Sequence, residues 1–225
     1  MLLQLIRNGF SIQTVAGLAS SIFVVFCTLP IHEFAHAVVA DRLGDPTARR
    51  NGRLTINPLA HLDWMGCLMI VLVGFGYAKP VPVNMRNFKN PKAGMAAVAF
   101  AGPVSNLLMA LLFLILRWVF GLYVSGSFAE ILTWFFYYAA YINVSLAVFN
   151  LLPIPPLDGS RIATALIPNK YYYKIMQYER YIMIGLFLLL LTGVLTRPLA
   201  YLSSAAINGM NSLVGSFFMW ISHTA

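Results

Sequence analysis

Two histidines and a glutamate lie within five residues of one another in the stretch PIHEFAH, residues 30–36. Histidines four apart on a helix differ by about 40° of rotation, so His32 and His36 project from one face, one turn apart. Two imidazoles in that position can bind one tetrahedral zinc ion, and Glu33 beside them can act as a general base on water. The spacing therefore predicts a metal site suited to hydrolysis.

The setting of this motif is apolar. From Val15 to Ala40 the ionisable groups besides Cys27 are His32, Glu33 and His36. HExxH occurs by chance in soluble proteins, but ionisable side chains inside a membrane cost a few kcal/mol each and are usually functional. The alternative is that the two histidines only form hydrogen bonds between helices.

The composition predicts a polytopic membrane protein. Of 225 residues, 60% are hydrophobic and 10% are charged, and the mean hydropathy is +0.76. We expect a single integral-membrane domain over residues 1–225. The net charge of +8 does not indicate nucleic-acid binding, because the basic residues are not interleaved with aromatic ones on a soluble face. In a membrane protein, excess Lys and Arg are typical of cytoplasmic loops.

The hydropathy pattern predicts an all-α transmembrane helix bundle of about four to six membrane segments. The predicted spans are residues 15–40, 93–118, 128–152 and 181–196. Residues 66–77 are apolar over too short a stretch to span and are predicted to be re-entrant, whereas 199–221 fits either an interfacial helix or a final span. The runs ARRNGRLTIN (48–57) and YAKPVPVN (77–84) predict a small β element near the cytoplasmic face.

The basic residues indicate the topology. The segments 41–63, 78–92 and 158–180 each contain four Lys or Arg residues. If 66–77 does not cross the membrane, all three segments lie on one side, as the positive-inside rule requires. If it did cross, the first two would face opposite compartments.

Asp158 is the predicted third metal ligand. It closes the sequence FNLLPIPPLDG (149–159), where prolines and a glycine break the helix. Irregular backbone at membrane depth is tolerated only where it is buried in protein or lines a cavity. In the topology with 66–77 re-entrant, Asp158 arrives at the same membrane side as His36, so charge bias and metal geometry favour the same arrangement.

Five stretches together resemble the site-2 protease family of intramembrane zinc metalloproteases, in its minimal form without a PDZ or CBS domain. They are PIHEFAHAVVADRLGD, TINPLAHLDWMG, YAKPVPVNMRNF, AGPVSNLLMA and FNLLPIPPLDG. The resemblance implies that His32, His36 and Asp158 bind one zinc ion and that Glu33 is the general base. It also implies cleavage of a peptide bond in or beside a substrate's transmembrane helix. We expect the protein in a prokaryotic cell membrane, with the active site towards the cytoplasmic side, where the basic segments lie.

Two asparagines are further candidates for the site, and a third residue, His61, is not assigned to it. Asn106 and Asn150 resemble family asparagines that stabilise an oxyanion, although an amide in a membrane helix also serves to bridge helices. His61 is interpreted as structural and is not assigned to the metal. We also hypothesise that PVPV and the 48–57 run offer edges to which an unwound substrate adds as a strand.

Two other functions fit parts of the pattern. A membrane metal transporter also places His, Glu and Asp within the membrane, but this sequence has no paired inverted repeats. A non-catalytic relative that binds a partner's helix would be expected to lack Glu33 or a ligand, and this chain retains all of them.

Overall fold

The protein is described here by a computed structural model, which covers residues 11–61, 79–168, 174–175 and 177–224. A π-helical turn, Val24–Thr28, joins the first two α-helices, and a 3-10 turn, Met85–Asn87, precedes the fifth. The α-helices of these residues are α1 (Ile12–Phe23), α2 (Leu29–Arg42), α3 (Thr47–Arg50), α4 (Pro58–His61), α5 (Pro91–Tyr123), α6 (Ser127–Asn150), α7 (Asp158–Thr164), α8 (Glu179–Leu191) and α9 (Thr196–Thr224).

Three helical segments are long and apolar enough to cross a membrane. They are Ile12–Arg42, Pro91–Tyr123 and Ser127–Asn150, so the helices predicted at 15–40, 93–118 and 128–152 are confirmed as candidate spans. Ser11 caps the first, because its hydroxyl accepts a hydrogen bond from the Thr14 N–H. Asn90 caps the second in the same way.

The fourth predicted span, 181–196, is interrupted. Helix α8 ends at Leu191 after 13 residues, and Gly193 adopts a φ of +79°, a left-handed conformation typical of helix ends. The chain then bends by 79° into α9. The two helices together count as at most one span, so the described residues hold three or four candidate spans. The ambiguous tail is thus helical from Thr196.

The predicted β element is wrong for the residues that the structure describes, which contain no strand. Residues 48–57 begin in helix α3 and continue as a turn, because local hydrogen bonds close this loop. The Arg53 N–H donates to the Ala48 carbonyl over 2.8 Å, and the Arg53 guanidinium donates to the Ala60 carbonyl. Residues 79–84 form neither a helix nor a strand. The predicted re-entrant segment 66–77 lies outside the described residues.

The main apolar core lies where α5, α6 and α9 pack together. On α5 it contains Ala110, Phe113 and Leu114, and on α9 Ile207 and Val214. Small residues on α6 let the helices approach closely, as is usual in membrane bundles. A second buried cluster of Ala40, Phe88 and Val98 joins the end of α2 to the start of α5. This second cluster lies beside the chemistry-bearing residues.

Candidate metal centre

Helix α2 presents His32 and His36 to the protein interior, as their spacing predicts. Both side chains are buried, and their Nε2 atoms lie 3.1 Å apart. A π-helical turn precedes them and Pro30 lies in the first turn of α2. Single π-helical turns within α-helices are frequent at functional sites. The two nitrogens face the same space on one side of the helix.

Asp158 completes a group of three possible metal ligands. Its Oδ2 lies 3.3 Å from His32 Nε2 and 3.4 Å from His36 Nε2. Four ligand atoms around a tetrahedral zinc, with bonds of about 2.0–2.1 Å, are separated by about 3.3 Å from one another. The three atoms therefore form the triangle that one face of such a coordination shell requires. Among the described residues this is the group of His, Cys, Asp and Glu side chains that could bind a metal.

Helix α7 fixes the position of Asp158. The chain turns between Asn150 and Asp158, and Asp158 is the first residue of α7. A side chain at Gly159 would place its Cβ 2.2 Å from the Leu151 carbonyl oxygen, so glycine alone fits there. The turn thus folds tightly enough to direct the carboxylate back at the histidines.

One face of helix α5 packs against the histidines, through residues spaced four apart along the helix. The Nδ1–H of His36 donates to the Val98 carbonyl over 2.7 Å, so in the neutral imidazole Nε2 carries the lone pair that a metal needs. One turn on, a methyl group at Gly102 would lie 2.4 Å from His36 Nε2 and 2.5 Å from His32 Cε1. A further turn on lies Asn106, buried, with both amide atoms lacking a partner among the described residues.

Glu33 is buried beside the three possible metal ligands and has one hydrogen-bond partner among the described residues. Its Oε2 accepts a hydrogen bond from the Val81 N–H over 3.1 Å. Val81 belongs to the proline-flanked stretch for which strand addition is hypothesised. That N–H is already used by Glu33, and 48–57 is not a strand, so the structure gives little support to substrate pairing there.

The remaining predicted residues are not part of this triangle. Asn150 is half-buried at the end of α6, and no hydrogen bond of its side chain is found in the part of the chain described. His61 is buried, with Nε2 2.7 Å from the Thr55 carbonyl oxygen, which agrees with a structural role.

Sequence reasoning missed three contributors to the site: Gly102, the Val98 carbonyl and the Val81 N–H. The sequence does indicate the position of Gly102: Val98, Gly102 and Asn106 are four residues apart, and residues at that spacing share one face of a helix. The other two contacts involve main-chain atoms, which no residue type indicates.

A membrane-embedded helix bundle with an HExxH motif and a distant aspartate is the arrangement of an intramembrane metallopeptidase. Comparison with known sequences identifies the family. The profile of Peptidase family M50 matches residues 119–192, which include Asp158. YwhC of Bacillus subtilis is 43% identical over 163 residues, which cover 71% of this chain and 74% of YwhC. The chain belongs to family M50, the site-2 protease family.

More distant relatives agree with this assignment. Rip2 of Mycolicibacterium smegmatis is 33% identical over 137 residues, 59% of this chain and 51% of Rip2. MJ0611 of Methanocaldococcus jannaschii is 31% identical over 132 residues, 58% of this chain and 62% of MJ0611. YwhC, Rip2 and MJ0611 are all named as candidate zinc metalloproteases. No solved structure gives a significant match.

Proposed function

We propose that this chain hydrolyses peptide bonds in or next to the transmembrane helices of membrane-protein substrates, with one zinc ion bound by His32, His36 and Asp158. The observation that carries the proposal is the triangle of ligand atoms, 3.1–3.4 Å on each side, in a family M50 chain. Its donor set of two imidazoles and one carboxylate is typical of catalytic zinc sites, which keep a position open for water.

When bound, zinc supplies Lewis acidity and makes water acidic enough to lose a proton near neutral pH. In this proposal Glu33 accepts that proton and returns it to the leaving amine nitrogen. The Val81 N–H holds one carboxylate oxygen of Glu33, which leaves the other to face the water. Burial of Glu33 keeps the bulk solvent away from this exchange.

Asn106 is proposed to donate its amide N–H to the oxyanion that develops on the scissile carbonyl. Two observations support this role. The amide is buried without a partner among the described residues, and it lies one helical turn from Gly102, which contacts both imidazoles. Asn150 has neither property, and a catalytic role for it rests on the family resemblance alone.

The site is proposed to face the cytoplasm. It lies at the end of the bundle where α2 finishes and α5 begins, and the flanking segments carry most of the basic residues. A substrate helix would then reach the site from the bilayer. The membrane metal transporter is not favoured, because the described residues hold one cluster of possible ligands.

Glu33→Gln separates a protease from the other functions. The purified wild-type protein in detergent should contain about one zinc per chain and release new termini from single-span membrane peptides, read by mass spectrometry. Glu33→Gln should abolish cleavage while retaining zinc, because the amide cannot accept the proton. Cleavage that persists in Glu33→Gln, or a metal-replete wild type without zinc, would contradict the proposal.

A further inference from the structure

Asp45, in the loop after α2, is a buried carboxylate that the mechanism above does not use. Its side chain is fully buried. Oδ1 accepts hydrogen bonds from the Thr47 N–H, the Thr47 hydroxyl and the Asn87 amide, at 3.1, 2.5 and 2.6 Å. Oδ2 accepts one from the Asn84 N–H at 2.7 Å. Hydrogen bonds to an ionised acceptor are about twice as strong as neutral ones, so Asp45 holds the residues that donate to it strongly.

Asp45 holds one end of the segment 79–84, and the last residue of helix α4 holds the other. The Lys79 N–H donates to the His61 carbonyl over 2.8 Å, and His61 is itself buried. Between the two ends, Pro80 and Pro82 have a fixed φ and no N–H. The segment is thus tied at both ends and restricted in its own backbone.

The middle of this segment contacts the active site through one atom. Val81 lies between the two prolines, and its N–H donates to Glu33 Oε2. A main-chain donor held in this way fixes which carboxylate oxygen is occupied and which way the carboxylate plane points. Among the described residues, the hydrogen-bond partners of Asp45 are Thr47, Asn84 and Asn87, and Glu33 is not one of them.

We propose that Asp45 is a positioning residue of the catalytic centre: it holds segment 79–84 so that the Val81 N–H orients the Glu33 carboxylate. The inference rests on the general-base role of Glu33 proposed above. It assigns a function in the reaction to a loop aspartate and to the backbone N–H of Val81 in segment 79–84.

Hydrogen–deuterium exchange tests the contact without substrate or zinc. Residues 80–83 contain only two amide hydrogens, those of Val81 and Val83, because both prolines lack one. In the full chain in detergent, the Val81 amide should exchange slowly. Glu33→Ala should raise its exchange rate about tenfold or more, and Glu33→Gln, which keeps an acceptor oxygen, should not.

Asp45→Asn should release the same amide, together with that of Asn84. The matched control is Asp41→Asn at the end of α2. It also removes one negative charge, but from an ion pair with Arg49, whose side chain is exposed. It should leave exchange in this segment unchanged. Rapid exchange of Val81 in the wild type, or protection that persists in Glu33→Ala, would overturn the contact.

The cleavage assay distinguishes positioning from substrate binding. Val81→Pro removes the donor, and Asp45→Asn loosens it, so each should lower kcat about tenfold or more with KM changed less than about twofold. In the double variant Asp45→Asn should add almost nothing, because it acts through Val81. Asp41→Asn is again the control, and its kcat should be maintained, because its ion pair with Arg49 does not involve segment 79–84.

A rise in KM with kcat maintained would overturn positioning in favour of substrate binding by the segment. Additive losses in the double variant would overturn the route through Val81. If zinc or Glu33 were not part of a protease, the exchange results could still stand, so failure of the two proposals can be told apart.

Discussion

Asp45 and Asp158 lie at the same end of the helix bundle, but the partners of their carboxylate oxygens differ. Asp45 is fully buried and accepts four hydrogen bonds from loop residues. The buried Oδ2 of Asp158 lies against two imidazole nitrogens and accepts no hydrogen bond from a main-chain N–H among the described residues. A carboxylate whose oxygens are saturated with donors holds the fold, whereas one left open towards nitrogen ligands can bind a metal.

The largest predicted effect is on zinc content. Asp158→Ala should lose nearly all zinc, because two histidines alone leave the coordination shell without its third protein ligand. Asp45→Ala should retain about one zinc per chain. Metal analysis of both purified variants measures the difference, and equal zinc in the two would remove the contrast between these carboxylates.

Gly102→Ala should have the next largest effect. The added methyl group would lie within 2.5 Å of both imidazoles and must displace at least one of them. We expect zinc affinity to fall about 10- to 100-fold, as for other changes that reorient ligands. Gly209→Ala on α9 is the control, since nothing lies within 4 Å of its new Cβ. A competition titration with a chelator compares the two, and unchanged affinity in Gly102→Ala would count against the observed packing.

Asp45 should contribute stability that depends on pH. Burial by itself would raise its pKa, but the hydrogen bonds from Thr47, Asn84 and Asn87 outweigh burial and lower the pKa below its ordinary value. The unfolded chain therefore binds more protons than the folded one, and the stability contributed by this group is lost as the pH falls below about 4.

Thermal unfolding in detergent measures this contribution. At pH 7, Asp45→Asn should be less stable than the wild type by about 1–3 kcal/mol, and the gap should narrow as the pH falls below about 4. Asp41→Asn serves as the control at each pH. A gap that stays constant down to the acid limit would mean that ionisation of Asp45 does not contribute.

The smallest effect is expected at the opposite end of the bundle. Asn211 Oδ1 accepts hydrogen bonds from Arg117 Nη1 at 2.5 Å and Trp118 Nε1 at 3.2 Å, which attach α9 to α5. Asn211→Leu should lower stability by about 0.6–2 kcal/mol, typical of such bonds in membranes, without changing zinc content. Asn208→Leu, on an exposed position of α9, should have less effect. Loss of zinc in Asn211→Leu would show that the two ends are coupled.

The sequence predicted the long spans and the candidate ligands because both depend on composition and spacing. Helical periodicity places His32 and His36 on one face, and the structure brings Asp158 to them; that the three bind zinc stays a prediction. The β element was predicted wrongly for the described residues. The 48–57 run has strand-like residue types, but the side chains of Asn51 and Arg53 donate hydrogen bonds to main-chain carbonyls of this loop. The tie from Asp45 to Asn84 spans 39 residues, and no local pattern indicates such a contact.

The bond from His36 Nδ1 to the Val98 carbonyl has a consequence for comparing relatives. In many zinc proteins a carboxylate side chain orients the ligating histidine, and its replacement is visible in an alignment. Here the acceptor is the peptide group, which every amino acid carries. Position 98 can therefore exchange one apolar residue for another of similar size while the histidine keeps its tautomer. A relative that lacks a carboxylate near this ligand need not have lost the support of its metal.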